Sequence, residues 1–124
     1  VKAIHRPIVI ITSNAEKELP DAFLRRCIFH YINFPDKEQM EEIVNAHFEH
    51  LQDNVLKQAM DTFYWIRSLR DLRKKPSTSE FIDWLRALEL SNIDPEKIRK
   101  ELPFLGVLIK KDEDLDVIKV RRLD

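Results

Sequence analysis

The single glycine of this 124-residue chain, Gly106, limits what the chain can fold into more than any other feature. A loop that cradles phosphates with backbone N–H groups needs several glycines, because its backbone adopts conformations that other residues rarely take. A dinucleotide-binding fingerprint needs three glycines. The chain therefore holds neither a G-x-x-x-x-G-K-[ST] loop nor a G-x-G-x-x-G motif. We expect that by itself it cannot bind or hydrolyse ATP in the usual way.

Charge and cysteine content narrow the classes of partner. The chain is 35% charged, yet its net charge is −1, so no global basic field exists to hold nucleic acid or an anionic membrane. Its longest apolar run, Ile8 to Ile11, is far shorter than the roughly 20 residues that span a bilayer. Cys27 is the only cysteine, which excludes an internal disulfide and fits a cytoplasmic location. The start at Val1 suggests an excised fragment or a processed start.

The first third of the sequence has the pattern of an α/β sheet. Residues 7–12 are β-branched and apolar on both faces, which is typical of a central parallel strand buried on both sides. Residues 27–34 form a second β-rich run, and Pro20 suits the first turn of a short helix between the two. Because two strands alone are rarely stable, residues 1–35 are interpreted as the incomplete end of a larger core.

Helical patterns dominate residues 36–124. Asp36 and Gln39 are placed as a capping box, and apolar residues then recur at helical spacing. Further helix starts are predicted at about Asn54 (running to Leu72), at Ser77 with Glu80 as a second capping box, at Asp94–Pro95, at Pro103 and at Asp112. The expected fold class is therefore mainly α with a small α/β remnant, and the expected boundary is Pro35.

Two segments of the first third could carry chemistry. Residues 10–14 read Ile-Ile-Thr-Ser-Asn, so Asn14 follows a strand at the edge where α/β sheets bind ligands and could orient a water or a phosphate oxygen. Ser13 and Asn14 also favour simple turns. Arg26 ends the short helix and could stabilise charge on a phosphoryl group from another subunit, although the helix dipole alone favours arginine there.

Together these segments resemble the stretch from sensor 1 to the arginine finger in AAA+ ATPases, and most closely the MoxR family. Residues 10–26 read Ile-Ile-Thr-Ser-Asn-Ala-Glu-Lys-Glu-Leu-Pro-Asp-Ala-Phe-Leu-Arg-Arg. The resemblance implies that Asn14 is sensor 1, which positions the attacking water, and that Arg26 is the finger that enters a neighbour's ATP site. Arg25 replaces the family's Asp and Cys27 its Phe. Phe34-Pro35 then stands where the family's chain enters its helical lid.

The same resemblance continues more weakly into the lid. Residues 75–80 read Lys-Pro-Ser-Thr-Ser-Glu, where MoxR-like proteins have Gly-Ala-Ser-Pro-Arg with the Arg as sensor 2. Ser79 stands at that position, and Lys75 is a candidate for the missing cation. The other candidates are Arg70, Arg73 and Lys74. A solvated basic helix end explains all four cations as well.

The resemblance implies a parent enzyme and its partners. Residues 1–35 would be the last two parallel strands of a P-loop AAA+ core, and residues 36–124 the helical lid bundle. The parent would be a cytoplasmic, chaperone-like ATPase that binds ATP and Mg²⁺ and assembles into a ring, with a hexamer expected. A von Willebrand factor A domain protein is the expected partner, with neither nucleic acid nor membrane. The alternative from another class is a non-catalytic helical interaction module.

Several other residues are given structural interpretations. His47 and His50 lack an obvious third metal ligand, so a helix surface explains them better. Cys27 is expected to be a buried, inert hydrophobe. The charged run from Lys110 to Asp116 is expected to be a solvated helix face. The aromatic residues expected in the core, rather than in a base-stacking platform, are Phe63, Trp65 and Trp84.

Overall fold

The computed structural model describes residues 2, 4–13 and 19–122. The chain divides into two compact units, Val1–Phe34 and Pro35–Asp124. Helices supply the regular secondary structure of the described residues, so the fold is mainly α. The second unit carries nearly all of these helices, and it also holds the hydrophobic core.

The described part of the first unit contains one short helix, α1 (Asp21–Leu24), which follows Pro20. Among the described residues, no strand forms at 7–12 or 27–34, where the sequence pattern predicts strands. The physical reason is that a strand needs a paired neighbour for its backbone N–H and C=O groups, and neither segment has one here. Their side chains are correspondingly exposed, by 92% at Ile8 and 103% at Ile28. Cys27 is also exposed, which corrects the expectation that it is buried.

The described residues of the second unit form six helices. They are α2 (Lys37–His47), α3 (Asp53–Ser68), α4 (Thr78–Ser91), α5 (Pro95–Glu101), α6 (Leu105–Leu108) and α7 (Asp112–Arg122). Both predicted capping boxes form, with Asp36 accepting from Gln39 and Ser77 accepting from Glu80. Two predicted bounds are wrong: α3 ends at Ser68 rather than Leu72, and Asp112 is the first residue of α7 rather than its cap.

Aromatic side chains fill the centre of the second unit. Phe63 and Trp84 are fully buried, as expected from the sequence, and both contact Phe81 with ring centroids 4.3 and 6.3 Å apart. The indole Nε1–H of Trp84 donates to the Pro103 carbonyl at 2.7 Å, so this buried polar group is satisfied. Trp65 is only half-buried at the edge of the core. These contacts join α3, α4 and the turn before α6 into one core.

Candidate functional site

The predicted site residues are divided between the two units. Asn14 lies outside the described residues. Arg26 belongs to the first unit, and Lys75 and Ser79 belong to the second. Lys75 precedes the N-cap of α4, Ser77, and Ser79 lies in the first turn of that helix, so the two are near one another in sequence at the same helix start.

Arg26 follows Arg25, the C-cap of α1, and is exposed to solvent. Its backbone N–H donates to the carbonyl of Phe23 at 3.2 Å, and that of Arg25 donates to the carbonyl of Asp21 at 3.0 Å. The turn thus extends the helix by hydrogen bonds and leaves both guanidinium groups in water. An exposed guanidinium at the end of a short helix is available to a phosphoryl group supplied from outside.

The segment between α3 and α4 concentrates positive charge, and we call residues 69–76 the basic loop. Residues 70–75 read Arg-Asp-Leu-Arg-Lys-Lys. All four cationic side chains of the basic loop are exposed, whereas Leu72 and Pro76 are buried. The loop is therefore held by its apolar residues and presents its cations to solvent. The cations are Arg70, Arg73, Lys74 and Lys75.

A carboxylate from α7 fixes the backbone of the basic loop. Asp114 is 1% exposed, and its two oxygens accept different backbone N–H groups, that of Arg73 at 2.8 Å and that of Lys74 at 3.1 Å. A buried carboxylate without hydrogen bonds would be very costly, so these two donors account for its burial. Asp114 corrects the expectation that 110–116 is simply a solvated helix face.

Two further contacts hold the basic loop at its ends. The guanidinium of Arg67 in α3 donates to the carbonyl of Pro76. Asp71 pairs with Arg121 of α7 at 2.6 Å, so the loop's one acid is balanced by a cation from outside the loop. Burial lowers the pKa of Arg67 from its ordinary value, and the charge of Tyr64 partly opposes this effect. An arginine stays protonated at any physiological pH, so Arg67 remains a donor.

The cations differ in how much of their charge is already balanced. Arg73 lies 3.8 Å from the Glu113 carboxylate, with both side chains about two-thirds exposed. Such an exposed pair contributes about 0–1 kcal/mol and leaves the arginine able to exchange partners. No ion pair is found for Arg70, Lys74 or Lys75 within the part of the chain that the structure describes. The basic loop therefore has capacity for an added anion.

Ser79 lies in the first turn of α4 and is exposed. The helix start is already capped, because the Ser77 hydroxyl accepts from the Glu80 N–H at 3.3 Å and Glu80 Oε1 accepts from the Ser77 N–H at 3.0 Å. The Glu80 carboxylate thus adds negative charge to this helix start. Of the two residues proposed to contact nucleotide, Lys75 is electrostatically better suited than Ser79.

Other candidate sites of the second unit have structural explanations. His47 Nδ1 lies 2.9 Å from the Ile43 carbonyl, within its own helix. Among residues 2, 4–13 and 19–122, no group of three or more His, Cys, Asp or Glu side chains could hold a metal ion. No helix in the same ranges has the length and apolar character needed to cross a membrane.

The guanidinium of Arg99 lies 3.8 Å from the ring centroid of Trp65, a cation–π contact that covers the half-buried indole.

The sequence pattern identifies the four cations of the basic loop as candidates, but it does not predict the role of Asp114. Asp114 lies one helical turn before the fully buried Ile118, so helical spacing places both on the same face of α7. That spacing is the one signal in the sequence that could have distinguished Asp114 from the exposed acids beside it. Its partners are 40 and 41 residues away and could not be read from the sequence.

Comparison with protein-family models, with curated proteins and with solved structures finds no match to this chain.

Proposed function

We propose that this chain is the C-terminal part of a MoxR-type AAA+ ATPase. Residues 1–35 form the end of the α/β core and residues 36–124 form the helical lid. The parent enzyme binds ATP and Mg²⁺, assembles into a cytoplasmic ring, with a hexamer as the state to test, and acts as a chaperone-like machine with a von Willebrand factor A domain protein. The chain by itself is inactive, since it lacks the phosphate loop.

The observation that carries the proposal is the order of parts along the chain. An apolar segment ending in Thr-Ser-Asn, a short helix followed by Arg25-Arg26, a second apolar segment and then a helical unit follow one another as they do in the family. The helical unit begins at Pro35, where the resemblance places the entry into the lid. Any one of these parts is common in proteins, but their combination and order are specific.

The exposure of the first unit supports the proposal. Ile8 and Ile10 are 92% and 84% exposed, and Val9 and Ile11 are 71% and 60% exposed. Successive residues of a strand point to opposite faces, so a strand at this segment would be apolar on both faces. Such a strand is stable only inside a sheet that is covered on both sides. A larger α/β core supplies that environment.

Within this proposal, Arg26 acts on the ATP of a neighbouring subunit, and Asn14 positions the attacking water. Guanidinium is always charged and can donate two hydrogen bonds to phosphate oxygens. Supplied in trans, such an arginine contributes on the order of 10³ to 10⁵ in rate. Lys75 of the basic loop contacts the nucleotide in place of the family's sensor-2 arginine, with Ser79 beside it.

The decisive experiment uses the full-length enzyme. Arg26→Ala should abolish hydrolysis and spare ATP binding, whereas the adjacent Arg25→Ala should retain most activity. Mixing Arg26→Ala subunits with subunits that cannot hydrolyse in their own site but keep Arg26 should restore activity at mixed interfaces. If mixed rings form and no activity returns, Arg26 does not act in trans and its place at a helix end has only a structural reason.

The alternative is a non-catalytic helical interaction module, and the self-contained core of the second unit favours it. Among the described residues, the nineteen buried apolar residues of that core all belong to the second unit. A binding module needs neither Asn14 nor Arg26. Full activity of the parent after substitution of both residues would therefore support the module and reject the ATPase role of this chain.

A further inference from the structure

We propose that the basic loop binds a polyphosphate chain and that Asp114 is the residue that positions it. The inference rests on the proposed function in taking the triphosphate of a nucleotide as the ligand. The inference goes beyond the proposed function because it assigns the contact with the phosphates to Arg70, Lys74 and Lys75 as a set. It also gives a role to a residue of α7.

The charge distribution selects a polyanion as ligand. Four cations lie within the six residues 70–75, and the loop's one acid, Asp71, is paired with Arg121 at 2.6 Å. A single phosphate could contact one or two of these side chains, whereas a linear triphosphate is long enough to contact several. Lysine and arginine are both suited to phosphate oxygens, the first as a point charge and the second as a bidentate donor.

Asp114 explains how a loop of like charges keeps one conformation. Repulsion among neighbouring cations favours an extended, variable loop, which would spread the charges apart. The buried carboxylate opposes this by accepting the N–H groups of Arg73 and Lys74 at once, one on each oxygen. The loop is also held in its middle, by the burial of Leu72, and at its C-terminal end, by the hydrogen bond from Arg67 to the Pro76 carbonyl. The cations are therefore presented from a fixed backbone.

The geometry gives Asp114→Asn and Glu113→Gln opposite expected effects. Each substitution removes one negative charge from adjacent positions of α7, so simple electrostatics predicts tighter anion binding in both. The amide that replaces the Asp114 carboxylate has one acceptor oxygen, so either the Arg73 or the Lys74 N–H would lose its partner and the loop would loosen. Glu113 pairs with the Arg73 guanidinium at 3.8 Å, and among the described residues no hydrogen bond is found from the loop backbone to its carboxylate.

The test is a titration of the whole 124-residue chain with sodium tripolyphosphate at low ionic strength, followed by backbone amide NMR. Amide signals of residues 70–75 should move together and saturate. Asp114→Asn should weaken binding about threefold or more, and Glu113→Gln should leave it unchanged or strengthen it by up to about threefold. Binding by Asp114→Asn that equals or exceeds that of the wild type would overturn the positioning role.

A matched pair of double substitutions tests the cations. Lys74→Gln with Lys75→Gln should weaken tripolyphosphate binding about threefold or more, whereas Lys97→Gln with Lys100→Gln, the same charge change on exposed α5 lysines, should not. Equal weakening by both pairs, or amide shifts centred away from 70–75, would reject the site. Orthophosphate should produce smaller shifts at the same concentration, and equal shifts would reject a polyphosphate ligand.

Hydrogen exchange keeps the inference testable if Asp114→Asn fails to fold. In the wild-type chain the amides of Arg73 and Lys74 should exchange more slowly than that of exposed Lys75, because a buried carboxylate holds them. Equal rates for all three amides would overturn the role of Asp114. These measurements need neither a ring nor ATP hydrolysis. Their failure would therefore reject polyphosphate binding by the basic loop, whereas the ATPase proposal is tested separately by the Arg26 experiment.

Discussion

The hydroxyl of Tyr64 in α3 donates a hydrogen bond to the carbonyl of Pro35 at 2.6 Å, across 29 positions of sequence. Pro35 precedes the capping box that begins α2, so this bond connects the start of the second unit to its central helix. Burial raises the pKa of Tyr64 from its ordinary value of 10.0, and the nearby charge of Asp36 raises it further, while Arg67 opposes both. The folded chain thus favours the protonated hydroxyl, which is the form that can donate.

The raised pKa of Tyr64 predicts a loss of stability in alkaline solution. The unfolded chain gives up this proton at a lower pH than the folded chain. The contribution of Tyr64 to the free energy of unfolding is therefore complete below about pH 10, and it is lost as pH rises through the folded pKa. The free energy of unfolding, measured with urea, should fall between about pH 8 and higher pH. The fall should be smaller for Tyr64→Phe than for the wild type. Tyr31→Phe, at an exposed tyrosine of the first unit, is the control and should decline as the wild type does.

Two serines near the start of α4 should respond differently to alanine. Ser77 caps the helix and exchanges hydrogen bonds with Glu80, so Ser77→Ala should lower the free energy of unfolding by about 0.5–2 kcal/mol. Ser79→Ala, inside the first turn and exposed, should change it by less than about 0.5 kcal/mol. Chemical denaturation measures both, and a larger cost at Ser79 would show that the cap has been assigned to the wrong serine.

Trp84 should be the most sensitive core position, because it is fully buried and also donates to Pro103. Trp84→Ala should cost about 3–5 kcal/mol from the lost packing and the cavity left behind. Trp84→Phe keeps an aromatic ring and should cost less, although it leaves the Pro103 carbonyl without this donor. Thermal unfolding of both variants would test the order, and a phenylalanine variant as unstable as the alanine one would assign the effect to the hydrogen bond.

In the full-length ATPase that we propose, Asn14→Ala should reduce turnover and leave nucleotide affinity nearly unchanged. An amide that orients water acts mainly in the transition state, so its loss appears in the rate. Steady-state hydrolysis together with equilibrium nucleotide binding separates the two quantities. A parallel loss of binding and turnover would instead identify residues 13–14 as a structural turn.

Local signals in the sequence were sufficient where a structure depends on near neighbours. The capping boxes at Asp36 and Ser77 are predictable because each joins residues three positions apart. The helical pattern continues to Leu72, whereas the chain leaves the helix after Ser68, and the contact of Asp114 with the backbone of Arg73 and Lys74, about 40 positions away, has no local signal in the sequence. The strands predicted at 7–12 and 27–34 likewise depend on residues that are distant in sequence, because each needs a neighbouring strand to pair with. A sequence pattern can indicate that a segment suits a strand, but pairing requires a neighbour.

The corner between α5 and α6 is made without glycine. Leu102 and Phe104 both have positive φ angles, 47° and 57°, in a region that residues with a side chain enter at a cost. The Leu102 side chain is 5% exposed, so burial in the core offsets that cost, whereas Phe104 remains 47% exposed. At Leu102 the left-handed conformation is consequently supported by tertiary packing and not by local preference. We therefore expect this corner to form late in folding, after the core that receives Leu102 has assembled.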